Sequence, residues 1–104
     1  QKLILDMTPD GERLLSCPHC KGAYLHHGGV TVYDRSEDAE TTRVTVVAEG
    51  VEIRLVPSAQ TNNPSGRRHG LAVEFWCEIC GSVGALTIAQ HKGNTFLSWR
   101  ESRP

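Results

Sequence analysis

The sequence predicts an all-β fold whose modest core is fastened by cysteines, and three observations predict it. Apolar residues alternate with polar ones along most of the chain instead of recurring at the three- and four-residue spacing of a helix. Turn signals, Gly28-Gly29, Glu49-Gly50 and Gly93-Asn94, separate the alternating runs where hairpins need them. Two CxxC hooks, Cys17-Pro-His-Cys20 and Cys77-Glu-Ile-Cys80, use all 4 cysteines of the chain.

Taken in order, a first strand near 12–16 leads into the first hook. Runs near 23–27 and 30–35 flank Gly28-Gly29 and predict a hairpin there, with Val30 and Val32 carrying the alternation of the second run. The runs 42–48 and 51–57 flank Glu49-Gly50, and Val51, Ile53 and Leu55 alternate along the latter. Leu71, Val73 and Phe75 mark a strand over 71–77 that runs into the second hook, and strands over 84–91 and 95–100 meet at Gly93-Asn94. Antiparallel pairing of consecutive strands follows. Between these runs, Asp34 to Thr42 reads as an acidic connection with Glu37, Asp38 and Glu40. Pro57 to Gly70 reads as a long, mobile loop holding the only clustered basic residues, Arg67, Arg68 and His69.

The 104 residues suit a single domain, 1–104, and 38% hydrophobic with 22% charged residues is ordinary for a soluble chain. With only 2 Trp, 2 Tyr and 2 Phe the core is small, and a metal cross-link is the staple that compensates for limited burial. A net charge of -1 gives no global attraction to nucleic acid or anionic lipid, so any such binding needs a local patch. No apolar run approaches the roughly 20 residues that span a bilayer, and Lys2-Leu-Ile-Leu5 is too short for a signal-peptide core, so a cytoplasmic location is the expectation.

Two thiolates three residues apart can turn toward one ion while intervening backbone N–H groups stabilise them, so the two hooks predict one tetrahedral site of Cys17, Cys20, Cys77 and Cys80. Zinc is the expected metal, with iron in the same four-sulfur cage as the alternative. Disulfides would suit a secreted chain, and a redox CxxC would need a following helix that neither hook has. Four thiolates leave no open position for water or substrate, which argues against a zinc hydrolase. A histidine replacing one cysteine is the alternative ligand set, and His19, inside the first hook, is expected to point outward instead.

His26 and His27 precede Gly28-Gly29, so alternation predicts one packed and one exposed ring, a second metal or a general base being the minor reading. Arg67, Arg68 and His69 form either a solvated loop or a phosphate-binding cluster, since arginine forks pair with phosphate oxygens. His91 and Lys92 read first as a polar hairpin tip, with contact to an anionic partner as the minor reading. Trp76 faces opposite to Leu71, Val73 and Phe75, either in a second layer or as an exposed stacking platform, whereas Tyr24, Phe96 and Trp99 read as core.

The motif Cys17-Pro-x-Cys20-x-Gly22 with Cys77-x-x-Cys80-Gly81 resembles the knuckles of zinc ribbons, small β-domains of transcription, replication and ribosomal proteins. The resemblance covers the hooks and their flanking hairpins. It implies a structural zinc and an antiparallel sheet, here enlarged by an inserted β-hairpin, because about 56 residues separate Cys20 from Cys77 where simple ribbons have about 15–20. Tyr24-Leu-His-His, Arg67-Arg-His-Gly-Leu and Gln90-His-Lys-Gly-Asn-Thr also look similar to small zinc-binding proteins of bacteria and their phages, a likeness that carries no activity. Zinc ribbons serve DNA, RNA and protein partners alike.

The expected function is a non-enzymatic, zinc-stabilised binding module that presents the 57–70 loop and the 91–94 tip to a protein partner. The alternatives are a nucleic-acid-binding ribbon using Arg67, Arg68 and Lys92 with nearby aromatics, and a rubredoxin-like iron protein for electron transfer. No general base, nucleophile and substrate motif converge to suggest an enzyme or a small-molecule substrate.

Overall fold

The computed structural model describes residues 5–7 and 11–101; most of the Lys2-to-Leu5 stretch lies outside them. The chain is all-β, with strands β1 (Leu5–Met7), β2 (Arg13–Leu15), β3 (Leu25–Asp34), β4 (Thr41–Val47), β5 (Val51–Pro57), β6 (Gly70–Cys77), β7 (Gly81–His91) and β8 (Asn94–Arg100). β1 and β2 form a small antiparallel pair ahead of the first hook, and the other six make one antiparallel sheet in the order β5-β4-β3-β6-β7-β8. The sheet is not closed into a barrel. No helix among the described residues is long and apolar enough to cross a membrane.

The expected hairpins at Glu49-Gly50 and Gly93-Asn94 are present, the β4–β5 hairpin being the inserted one. The turn expected at Gly28-Gly29 is not. Residues 25–34 form one strand whose register against β6 shifts between His27 and Val30, so the two glycines sit in a bulge. A Gly-Gly pair serves a bulge as well as a turn, and what decides is the partner: β6, about 45 residues downstream, pairs with both halves of β3.

The two faces of the sheet differ. On one, the register aligns Arg54, Val44, Tyr33, Gly70, Ala89 and Phe96 across the six strands, and beside them Val46, Thr31, Ala72, Thr87 and Ser98. Small side chains dominate its middle, which lets the 58–69 segment lie close over it. Tyr33, Val44, Ala72 and Ala85 form the buried cluster there, with Val46 and Val56 packed against it. The opposite face carries an unbroken apolar row, Val51, Val47, Val30, Val73, Leu86 and Trp99, one residue from each strand.

The 57–70 segment, expected to be a mobile loop, is instead a tied layer. It opens with a 3-10 turn (Ser58–Gln60). Ser65 Oγ donates to Gln90 O at 2.7 Å, Arg100 Nη1 donates to Asn62 O at 2.6 Å, and Asn63 Nδ2 donates to Arg68 O at 2.8 Å. The segment is also sewn to the acidic connection: Ser58 N donates to Glu40 O at 2.7 Å, and Asp38 N donates to Arg67 O at 2.8 Å. Asn, Ser and Thr are the residues whose side chains replace backbone partners in irregular chain, so the composition that read as flexibility supplies the fastening.

Candidate metal centre

Each hook is built by a turn closed on its own sulfur. His19 N donates to Cys17 Sγ, Gly22 N to Cys20 Sγ and Ile79 N to Cys77 Sγ, each at 3.4 Å. Cys17 N donates to Gly22 O at 2.7 Å and closes the first loop. Both hooks need a left-handed residue directly after their second cysteine: Lys21 has φ 67° and Gly81 φ 82°. Lys21 bears that strain with Nζ donating to Pro18 O at 2.9 Å. A Cβ at Gly81 would meet nothing within 4 Å, so only the backbone angle demands glycine there. Gly81→Ala is therefore expected to cost about 1–2 kcal/mol in chemical denaturation of the metal-loaded protein. A change under a few tenths would mean that the hook relaxes to another angle.

β6 delivers Cys77 at its end, paired with Leu25 of β3 and Gly81 of β7. The β6–β7 register shifts between Phe75 and Trp76, and Val83 lies wholly buried with Cys17 and Cys77, flanked by Leu25 and Phe75. Cys17 and Cys77 form the inner side of the site, and Cys20 and Cys80 the outer side.

The four Sγ atoms lie within 4.8 Å of one another, Cys17 to Cys80 at 4.0 Å and Cys20 to Cys77 at 3.7 Å. Tetrahedral thiolate ligation with metal–sulfur bonds near 2.3 Å sets adjacent sulfurs about 3.8 Å apart, so the residues fit one metal ion as they stand. Backbone N–H groups of Cys80 and Ile79 hold the Cys77 thiol down to about 7, toward the thiolate that a metal requires. Desolvation and the crowding sulfurs of Cys20, Cys17 and Cys77 push Cys80 up to about 12. Four sulfurs this close cannot all ionise unless a cation sits among them. All four cysteines assigned to the metal thus converge, and the cluster contains no histidine.

Beside the second hook lies a group that alternation did not anticipate. The His26 ring stacks on Trp76 with centroids 4.3 Å apart and planes 11° from parallel, and its Nε2 meets Glu78 Oε2 at 2.5 Å. His26 and Trp76 are cross-strand partners on β3 and β6, which brings the rings together. Both His26 and His27 are at the surface, so the expected division into one packed and one exposed ring does not hold. Tyr24 and Phe96, expected in the core, are exposed, as is Trp76, while Trp99 is buried with its ring edge-on to Phe75 at 5.7 Å. Near the sheet's ends, alternation fixes which way a ring points but not whether anything covers it.

The partner-binding candidates fall at one end of the sheet, where Gln90 N donates to His69 O at 3.1 Å and links the long segment to the tip bearing His91 and Lys92. The arginines there are already engaged. Arg67 forks onto Asp38, Nε to Oδ1 at 2.9 Å and Nη2 to Oδ2 at 2.6 Å, and Arg68 Nη2 donates to Glu37 Oε1 at 2.6 Å. The Arg67 guanidinium holds the Asp38 carboxyl below its ordinary range. Arg35 N donates to His69 Nδ1 at 3.0 Å, which ties the His69 ring to the end of β3. The acidic connection and the basic cluster, separate runs in the sequence, are ion-paired across about 30 residues. Comparison with protein-family models, with curated proteins and with solved structures gives no match, so the assignment of a metal centre rests on the geometry of the four sulfurs.

Proposed function

We propose that this chain is a non-enzymatic binding module, a zinc-ribbon-like sheet that uses one structural zinc and meets a protein partner at the end formed by the 65–69 segment and the 91–94 tip. The metal half of this reading draws on the four-sulfur cage, whose donors would saturate a tetrahedral ion. The partner half draws on one observation, the Arg67–Asp38 and Arg68–Glu37 pairing. A surface of alternating charge suits the polar rim of a protein interface, whereas phosphate would have to displace carboxylates already in place. Exposed pairs of this kind contribute little to stability because water screens them, so their value here is in setting the charge pattern.

The second reading, a nucleic-acid-binding ribbon, draws on the exposed Trp76–His26 stack and the open Tyr24 ring, which single-stranded bases could stack on. Titration of the metal-loaded protein with single- and double-stranded oligonucleotides over a range of salt separates the two. The expected result is no micromolar binding at physiological salt. Tight binding with a steep salt slope that flattens in an Arg67→Ala/Arg68→Ala variant, its fold intact, would establish the nucleic-acid reading instead. Metal analysis of the same sample is expected to return one zinc per chain, and a red, iron-containing protein would move electron transfer to first place.

A further inference from the structure

The side of the sheet facing away from the 58–69 segment is apolar across all six strands. Next to the row from Val51 to Trp99, the register sets a second row of Ile53, Thr45, Val32, Leu71, Ile88 and Leu97, in which Thr45 is the one polar member. Trp99 is covered at the hook end and the middle strands are partly covered, but the surface is open at both edges: Leu97 on β8 is 48% exposed, and on β5 Val51, Ile53 and Leu55 are 67%, 62% and 74% exposed. The charged side chains in the next row, Asp34 and Arg43, are bonded to each other and leave the patch neutral.

We infer that this face is an interface between two copies of the chain, packed sheet on sheet about a two-fold axis. Three features select a second copy. The open parts of these side chains come to on the order of 600 Å² per chain, near the roughly 800 Å² per partner of a stable interface and at the top of the range for patches on monomers. A neutral aliphatic surface is complementary to itself, and sheets stacked face to face at about 10 Å interdigitate such rows. The opposite face is already layered by the chain's own 58–69 segment, so a copy on this side completes the second layer that a sheet requires. The surface is distinct from the charged end assigned to a protein partner, and either assignment can fail alone.

Sedimentation equilibrium of the metal-loaded full chain at tens of micromolar is the test. The expected mass is twice the 11.4 kDa of one chain. Ile53→Glu, placed at an exposed position, is expected to weaken the dimer by about 100-fold or more, because each copy then buries a charge against apolar rows. Arg54→Glu, the next residue on the opposite face, is expected to leave the dimer intact. Zinc content and circular dichroism check the fold of each variant, and Leu55→Lys replaces Ile53→Glu should the latter misfold. A monomeric wild type, or a dimer indifferent to whichever face substitution folds, overturns the inference. A monomer would assign the face to a different protein or to residues outside those described.

Discussion

Chelation of the metal, or Cys77→Ser, is expected to melt the hook end of the molecule and leave the β4–β5 end partly ordered. Structural zinc in small modules contributes on the order of 10–16 kcal/mol of apparent binding free energy at neutral pH, comparable to or larger than the whole stability of a domain this size. Cys17 and Cys77 are also the buried floor of the cluster that holds Val83, Leu25 and Phe75, so freeing the sulfurs opens that cluster to water. The Tyr33–Val44–Ala72–Ala85 cluster lies under the 58–69 segment and owes nothing directly to the metal. Trp99 and Trp76, against Phe75 and His26, report on the hook end by fluorescence, and the methyl signals of Val44 and Val46 report on the other end. Unchanged spectra and thermal midpoint after chelation would make the site peripheral to stability.

The same site sets a pH dependence. The folded Cys77 thiol lies at about 7, below an ordinary value near 8.5, so its contribution to folding is fully present above the ordinary value and is lost as pH falls through about 7. Cys80 is shifted the other way in the metal-free chain, where it favours the fold below its ordinary value and ceases to do so as pH rises toward 12. Metal binding removes the opposition, because the cation favours all four thiolates together. Metal retention is therefore expected to fall as the medium is acidified below neutrality, in step with the loss of the hook end.

The cage was legible because its information is local: each CxxC is a turn that closes on its own sulfur, whatever the rest of the chain does. The strands were legible for the same reason, as alternation over 51–57 and 71–77 needs no knowledge of neighbours. What sequence could not supply was pairing at a distance. Gly28-Gly29 became a bulge because β6 pairs with both sides of it, and Arg67 and Arg68 lost their freedom to Asp38 and Glu37, some 30 residues upstream. Val51, Ile53 and Leu55 carry the pattern of buried residues and are open to solvent, a conflict between pattern and burial that self-association would resolve.

Gly70→Ala is expected to destabilise the protein by about 2–4 kcal/mol, a large effect for a single methyl placed far from the cysteines. A Cβ built on Gly70 falls 2.0 Å from Asn63 Oδ1 and under 3 Å from the Pro64 ring. Asn63 cannot step aside cheaply, since its Oδ1 accepts from Ser65 N at 3.0 Å while its Nδ2 donates to Arg68 O at 2.8 Å. The added methyl must break that clasp or lift Pro64, and either lifts the layer off Ala72 and Tyr33 beneath it. In a chain of this length that cost is a fall of roughly 8–32 °C in thermal midpoint. Gly66→Ala is the control, because nothing lies within 4 Å of its Cβ position, and its expected change is within about 0.5 kcal/mol. Should the two variants melt together, the 58–69 segment would not be seated on the sheet, and the small side chains beneath it would need another cause. A large loss confined to Gly70→Ala, with metal content unchanged, places the stabilising contact between Asn63, Pro64 and the start of β6, remote from the four cysteines.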